Sequence, residues 1–116
     1  MDKDELGRYG EELAARHLQR AGWTLLDRNW RCDVGEIDIV ARRADVLTIC
    51  EVKTRRSTRC GTPLEAVTPK KAARLRTLAA RWLAAHDTRS AAIRIDVIAI
   101  SIDARGTNLL HLEGVC

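Results

Sequence analysis

The chain has 116 residues, 31% of them charged, and a formal net charge of +4. This length suits one domain with a single core, and the four cysteines lack the paired spacing of a zinc knuckle or a redox motif. The first residues, MDKDELGRYGEEL, are acidic where a signal peptide would be basic, and no apolar run approaches the ~20 residues of a membrane span. We therefore predict one domain, residues 1–116, in a soluble cytoplasmic protein without a membrane partner.

Positive charge is concentrated in the middle of the chain. Residues 53–81 hold 9 Lys or Arg against 1 Glu, whereas residues 1–52 hold 8 against 11 acidic residues and 82–116 hold 3 against 4. A cationic block beside an acidic one suits a polyanion that is bound next to a divalent cation. Composition alone leaves a solvated basic face equally open.

Apolar residues at helical spacing predict two helices. The first covers about residues 5–21 and ends before Gly22, with Glu11 at the margin of its buried arc. The second has Thr68 as N-cap and Pro69 at its first position, and extends to about His86. The buried arcs are expected to contain Leu6, Tyr9, Leu13, Ala14, His17, Leu18 and Ala21 in the first helix, and Ala72, Leu75, Leu78, Ala79, Trp82 and Leu83 in the second.

Apolar alternation and β-branched residues predict five strands, at about residues 23–31, 36–42, 46–54, 91–100 and 107–112. Short turns join the first three strands into an antiparallel meander, and the fourth is apolar enough to be central. The polar segment 55–67 is expected to be a mobile basic loop. The order αβββαβ(β) implies an α/β fold with a mixed central sheet flanked by helices.

Four charged residues lie in the apolar strand segments EIDIVA and ICEVK. A two-residue turn at 44–45 would pair positions whose numbers add up to 89, so that Asp38 faces Glu51 and Glu36 faces Lys53. A three-residue loop would separate these charges unless a bulge restored their alignment. The hairpin therefore concentrates charge at one point only if its turn is short.

Two opposed carboxylates are costly to ionise together unless a cation lies between them. Magnesium, with manganese as its substitute, binds carboxylate oxygens, waters and phosphate oxygens. We expect a metal held by Asp38, Glu51 and the carbonyl of Val52, with Glu11 adding a ligand. Lys53 would orient the attacking water or stabilise charge on the phosphorus centre. Surface salt bridges on a solvent-facing sheet are the alternative explanation of the same charges.

Blocks of the sequence also follow the order of a known family. They are GRYGEELAARHL, GEIDIVA, ICEVKTRRSTRCGTPLEAVTPKK, LAARWL and RIDVIAI. They resemble the YraN-like family of small bacterial proteins within the restriction-endonuclease-like PD-(D/E)XK superfamily, and more distantly archaeal Holliday junction resolvases. Ile37 stands where the superfamily has a proline before the acid. The resemblance implies a restriction-endonuclease-like fold in which Asp38, Glu51 and Lys53 are catalytic and Glu11 is the helix-borne acid.

The resulting hypothesis is a Mg²⁺-dependent endonuclease that hydrolyses nucleic acid, with DNA, and branched DNA in particular, implied by the resemblance. The alternative is a non-catalytic nucleic-acid-binding module that serves as a scaffold for a DNA repair or processing partner. A homodimer is compatible with the resemblance, because resolvases of this fold cut two strands symmetrically. The residues expected to contact phosphates without reading sequence are Arg55, Arg56, Arg59, Lys70, Arg74 and Arg81.

Other polar and aromatic residues have structural interpretations. Glu36 is expected to pair with Lys53 or a nearby arginine. Asp96 could approach the site from a neighbouring strand, but we expect it instead to pair with Arg94 or to cap an edge. The cysteines are expected to be reduced. Structural or surface roles are expected for His17, His86 and His111, and core positions for Trp23, Trp30 and Trp82.

Overall fold

The structure is a computed structural model that describes residues 1–56 and 67–115. Two helices and five strands follow the predicted order αβββαβ(β). They are α1 (Lys3–Arg20), β1 (Thr24–Cys32), β2 (Gly35–Arg43), β3 (Val46–Arg55), α2 (Pro69–Ala85), β4 (Ala92–Asp103) and β5 (Gly106–Leu112). The predicted basic loop at 55–67 falls largely on residues 57–66, which lie outside the described residues and include Arg59.

The five strands form one mixed sheet in the order β1-β2-β3-β4-β5. The first three pair antiparallel, which confirms the predicted meander, and β4 pairs antiparallel with β5. β3 and β4 are parallel, because α2 carries the chain back between them. β4 therefore has a neighbour on each side, as its apolar sequence predicts. The mixed α/β architecture is confirmed.

The two helices cover opposite faces of the sheet. Alternate residues of β3 separate the two sides, with Cys50 in the core cluster under α1 and Ile49 in the cluster under α2. The first cluster contains Ala14, Ala15, Leu18, Trp23, Ile39, Ala41, Cys50, Ile98 and Ile100. The second contains Ile37, Val40, Leu47, Ile49, Leu75, Leu78, Ala79, Trp82 and Ile95, with Trp30 packed against it. The predicted core positions are confirmed for Trp23 and Trp82, and Trp30 is partly buried.

Side-chain caps determine where the helices begin. α1 starts two residues earlier than predicted, because the Asp2 carboxylate accepts a hydrogen bond from the Glu5 backbone N–H at 2.9 Å. Gly22 follows this helix with φ of 91°, in the predicted role. Thr68 caps α2 as predicted, since its hydroxyl accepts from the Lys71 backbone N–H at 3.1 Å. Within the described part of the chain, neither helix is long and apolar enough to cross a membrane.

Candidate functional site

The β2–β3 hairpin has the short turn that the sequence predicts. Its residue pairs run from Arg43 and Val46 to Ile39 and Cys50 in the predicted register. Ala44 adopts φ of 52°, the positive value that two-residue hairpin turns require. The paired segment ends at Ile39 and Cys50, so Asp38 and Glu51 are the next residues of the two strands.

β2 changes its course at Asp38. Ile37 lies in the core cluster under α2 and Ile39 in the cluster under α1, although residues two apart normally share a face. The Asp38 carboxylate accepts a hydrogen bond from the backbone N–H of Val52 at 2.8 Å. A side chain thus binds the backbone of β3 at the point where regular pairing with β2 ends, and a cleft forms there.

Three carboxylates meet in this cleft. Glu11 of α1 and Glu36 and Asp38 of β2 each place an oxygen within 4.8 Å of the others. The cleft has a volume of about 520 Å³, and Lys53 of β3 also lines it. The cleft therefore contains Glu11, Asp38 and Lys53, which are predicted site residues. It also contains Glu36. Glu36 also binds Arg31 at 2.7 Å, in agreement with the expectation that it pairs with a nearby arginine.

A close helix–strand contact holds Glu11 at the cleft. The preceding residue, Gly10, is buried, and a Cβ atom there would lie 1.8 Å from the hydroxyl oxygen of Thr54 on β3. Only glycine allows this approach. The predicted arc of α1 is wrong at Tyr9, which is 40% exposed, and at the exposed Ala21, because the helix meets the sheet through Gly10.

Asn29 of β1 holds the other side of Glu11. The β1–β2 register on both sides of it places Asn29 opposite Asp38. With the amide nitrogen facing Glu11, that nitrogen lies 2.8 Å from one carboxylate oxygen and 3.2 Å from the other. Asn29 has φ of 52°, a conformation that asparagine adopts more readily than most residues. The side chain fixes the orientation of the helix-borne acid.

The surroundings of Asp38 disfavour its charged form. Burial is the main cause that raises the pKa of Asp38 to about 7, and the negative charges of Glu51, Glu11 and Glu36 raise it further, against the hydrogen bond from Val52. Burial also raises the pKa of Glu11. The cluster therefore holds more negative charge than its own surroundings balance. A bound cation would relieve this imbalance.

Glu51 has a cationic partner on the α2 side of the cleft. Its carboxylate lies 2.9 Å from the Lys71 ammonium and 3.9 Å from that of Lys53, and its side chain is 15% exposed. Across residues 1–56 and 67–115, the groups of three side chains with ligand atoms within 4.8 Å do not include Glu51. Burial and the charge of Lys71 lower the pKa of Lys53. The predicted ligand pair of Asp38 and Glu51 thus lies on neighbouring strands, with an ammonium bound to one of the two.

A protein-family model described as "Uncharacterised protein family UPF0102" matches residues 10–100. The chain belongs to the UPF0102 family. It is 56% identical to a UPF0102 protein of Kineococcus radiotolerans, over 97% of this chain and 94% of that protein. UPF0102 proteins of a Nocardioides species and of Frankia casuarinae are 54% and 51% identical, over 97% of this chain and 92% and 96% of theirs. The resemblance to the YraN-like family is confirmed at this level.

Sequence reasoning missed two residues that contact the acids of this UPF0102 site, Asn29 beside Glu11 and Lys71 beside Glu51. Lys71 lies at helical spacing from Leu75, Leu78 and Trp82, which are buried, so a charge on the buried stripe of α2 was the signal for it. Asn29 had no comparable signal. Its backbone has a positive φ of 52° within a strand, which the sequence does not reveal.

The predicted phosphate-binding residues fall into separate places. Lys70 and Arg74 line one surface pocket together with Thr68 and Lys71. The guanidinium of Arg81 lies 2.8 Å from Asp33. The remaining two described arginines are at the end of β3, where Arg55 is half-buried and Arg56 donates to the backbone carbonyl of Met1. Lys70 and Arg74 are therefore the pair that the fold places side by side.

A second acidic group lies at the β4–β5 end of the sheet. Asp96, which is fully buried, binds Arg94 through two contacts of 2.9 Å, as predicted, and also contacts His111 at 2.7 Å and the Gly114 backbone N–H at 2.9 Å. His17 lies 3.0 Å from the other side of the His111 ring. Burial would raise the pKa of Asp96, but these hydrogen bonds outweigh it and lower the pKa. This carboxylate is satisfied within the protein.

Proposed function

We propose that this UPF0102 protein is a divalent-metal-dependent nuclease of the restriction-endonuclease-like PD-(D/E)XK type that hydrolyses phosphodiester bonds in DNA. The observation that carries the proposal is the position of Asp38. It lies in a cleft with Glu11 and Glu36, with Glu51 and Lys53 on the adjacent strand, and its pKa is raised to about 7. Perturbed acids in a cleft are typical of functional sites.

The donor set fits magnesium, with manganese as a substitute. The side-chain ligand atoms that converge in this open cleft are the carboxylate oxygens of Glu11, Glu36 and Asp38, which hard divalent cations prefer, and the cleft has room for water and substrate. Asp38 and Glu11 would hold the ion, with Glu51 joining them from β3. When bound, the ion supplies positive charge that polarises a phosphodiester oxygen and stabilises the transition state.

Other residues of the chain would orient the substrate. The Lys53 side chain is 38% exposed and lines the cleft two residues from Glu51, so its ammonium can hold a water or a phosphate oxygen there. Lys70 and Arg74 lie side by side at the start of α2 and would bind the backbone of the nucleic acid. Such contacts predict affinity that falls steeply with salt. A flat dependence of log K on log salt would contradict this assignment.

Cleavage assays test the proposal directly. The purified chain would be incubated with Mg²⁺ or Mn²⁺ and with duplex, single-stranded and four-way DNA. We expect cleavage that Asp38→Asn, Glu51→Gln or Lys53→Met each reduces by about 100-fold or more, with DNA binding retained. The matched pair Glu11→Gln and Glu12→Gln provides the control, since Glu12 is exposed and binds Arg16 and Arg28 instead.

The outcomes separate the two functions under consideration. Undiminished cleavage by Glu51→Gln would exclude this site. DNA binding without turnover in either metal would favour the alternative, a nucleic-acid-binding scaffold for a repair or processing partner. Equal losses in Glu11→Gln and Glu12→Gln would show that the helix-borne acid has no specific role.

A further inference from the structure

Lys71 makes an ion pair that the predicted nuclease residues do not account for. Its ammonium lies 2.9 Å from Glu51, and the side chains of the pair are only 16% and 15% exposed. We propose that Lys71 is a positioning residue that occupies the cation position at Glu51 until a divalent ion displaces it. This inference rests on the proposed function, because it concerns the same metal site.

A cation at Glu51 is needed even when no metal is bound. The Glu51 carboxylate is mostly buried and lies on the strand next to Asp38, whose own charge is already disfavoured. A buried carboxylate without a positive partner is costly. Lys53 is farther away, at 3.9 Å, and its side chain is more exposed. Lys71 therefore provides the direct charge-assisted contact that keeps Glu51 in place.

The same contact competes with metal binding. Glu51 cannot keep a 2.9 Å hydrogen bond to an ammonium through the oxygen that it offers to a metal ion. A divalent ion that binds the Oε1 atom of Glu51 must therefore displace Lys71, and the free energy of the ion pair is subtracted from the metal's affinity. Removing the ammonium should strengthen metal binding, whereas a purely structural lysine would leave affinity unchanged or reduce it.

The fold offers the displaced ammonium a second position. Lys71 also lines the pocket of about 360 Å³ that contains Thr68, Lys70 and Arg74. An ammonium that moves away from Glu51 joins two other cations there, which favours the binding of a phosphate group. A bound metal ion would then raise the affinity for phosphate, and bound phosphate would raise the affinity for the metal ion by the same factor. Lys71 thus links the acidic cleft to the cationic start of α2.

Calorimetric titration with Mn²⁺ tests this inference without any measurement of cleavage. We expect Lys71→Met to bind Mn²⁺ about tenfold more tightly than the parental chain. Lys71→Arg keeps the charge and should keep the weaker affinity. Arg76→Met is the matched control, because it removes one positive charge from an exposed position of α2. Its affinity should stay within about twofold of the parental value, as expected for a screened, distant charge.

A second measurement uses only the parental chain, so it does not require the Lys71→Met protein to fold. In a crystal structure of the parental chain with Mn²⁺, the Lys71 ammonium should lie more than about 4 Å from Glu51, the limit for an ion pair. Equal or weaker Mn²⁺ binding by Lys71→Met, or an intact 2.9 Å contact beside a bound ion, would overturn this inference and leave the nuclease proposal standing. Absence of Mn²⁺ binding by both chains would overturn both.

Discussion

Two carboxylates in the same sheet, the buried Asp96 and the half-buried Asp38, have opposite surroundings. Asp96 on β4 is bound by Arg94, His111 and a backbone N–H, and its pKa is lowered. Asp38 on β2 has three carboxylates among its charged neighbours beside Lys53, and it accepts one hydrogen bond from a backbone N–H; its pKa is raised to about 7. Both groups are costly to bury, but only one has its charge balanced by its own neighbours. The difference agrees with a structural role for Asp96 and with the proposed role of Asp38, which would bind an external cation.

The largest expected effect comes from Asp96. Asp96→Asn leaves Arg94 and His111 without their anionic partner, so it should lower the free energy of unfolding by about 3–5 kcal/mol. Asp87→Asn, at an exposed position with φ of 46°, should change it by less than about 0.5 kcal/mol. Urea denaturation checks both variants. A small loss for Asp96→Asn would remove the contrast between the two carboxylates.

Gly10 is expected to have the next largest effect. Gly10→Ala forces α1 away from Thr54, so it should cost about 2–3 kcal/mol and move Glu11 out of the cleft. Gly7→Ala on the same helix meets nothing within 4 Å and should stabilise the protein by about 0.5–1 kcal/mol. Thermal unfolding and Mn²⁺ titration of the two variants measure both consequences. Similar stabilities would show that the close contact is not needed.

The raised pKa of Asp38 should make the free energy of unfolding fall as pH rises, whereas a salt-bridged acid would make it increase. Its pKa is about 7 in the folded protein, whereas the ordinary pKa of an aspartate, as in an unfolded chain, is 3.8. The folded state therefore keeps a proton that the unfolded state loses, and stability falls as pH rises from about 4 to about 7. Asp38→Asn should remove this loss and be more stable than the parental chain by roughly 2 kcal/mol at pH 8. Urea denaturation at pH 4 and pH 8 without metal checks this prediction, and a constant difference would contradict it.

The smallest expected effect is at the turn that sets the register of Asp38. Ala44 has φ of 52°, which costs an L-residue with a β-carbon about 1 kcal/mol. Ala44→Gly should therefore stabilise the protein by about 0.5–1 kcal/mol, as measured by thermal unfolding. Destabilisation would mean that the hairpin does not use this two-residue turn.

The sequence predicted the hairpin well because turn length alone determines its register. Two residues at 44–45 were enough to align β2 with β3 and to bring Asp38 near Glu51. The pairing of Asp96 with Arg94 was equally local, because alternate residues of a strand lie on the same face of the sheet. Such features depend on few residues that are close in the chain.

Other parts of the site depend on contacts between distant segments. Lys71 reaches Glu51 from another element, and Asn29, which has a positive φ, reaches Glu11 across the gap between β1 and α1. The orientation of α1 depends on its contact with Thr54 and could not be read from helical spacing, so Tyr9 was wrongly assigned to the core. The sequence predicted that Glu11 and Asp38 belong to one site, but it did not predict that Lys71 binds Glu51.

Anomalous scattering from a crystal grown with Mn²⁺ shows directly whether the cleft of Asp38 binds a metal ion. We predict an anomalous peak within about 2.5 Å of carboxylate oxygens of Asp38 and Glu11, with Glu51 or a water bound to it completing the site. The group formed by Asp96, His111 and Glu113 should show none, because Arg94 already lies beside both acids. A peak at that group, or an empty cleft at saturating Mn²⁺, would contradict the assignment of Asp38 to a metal site.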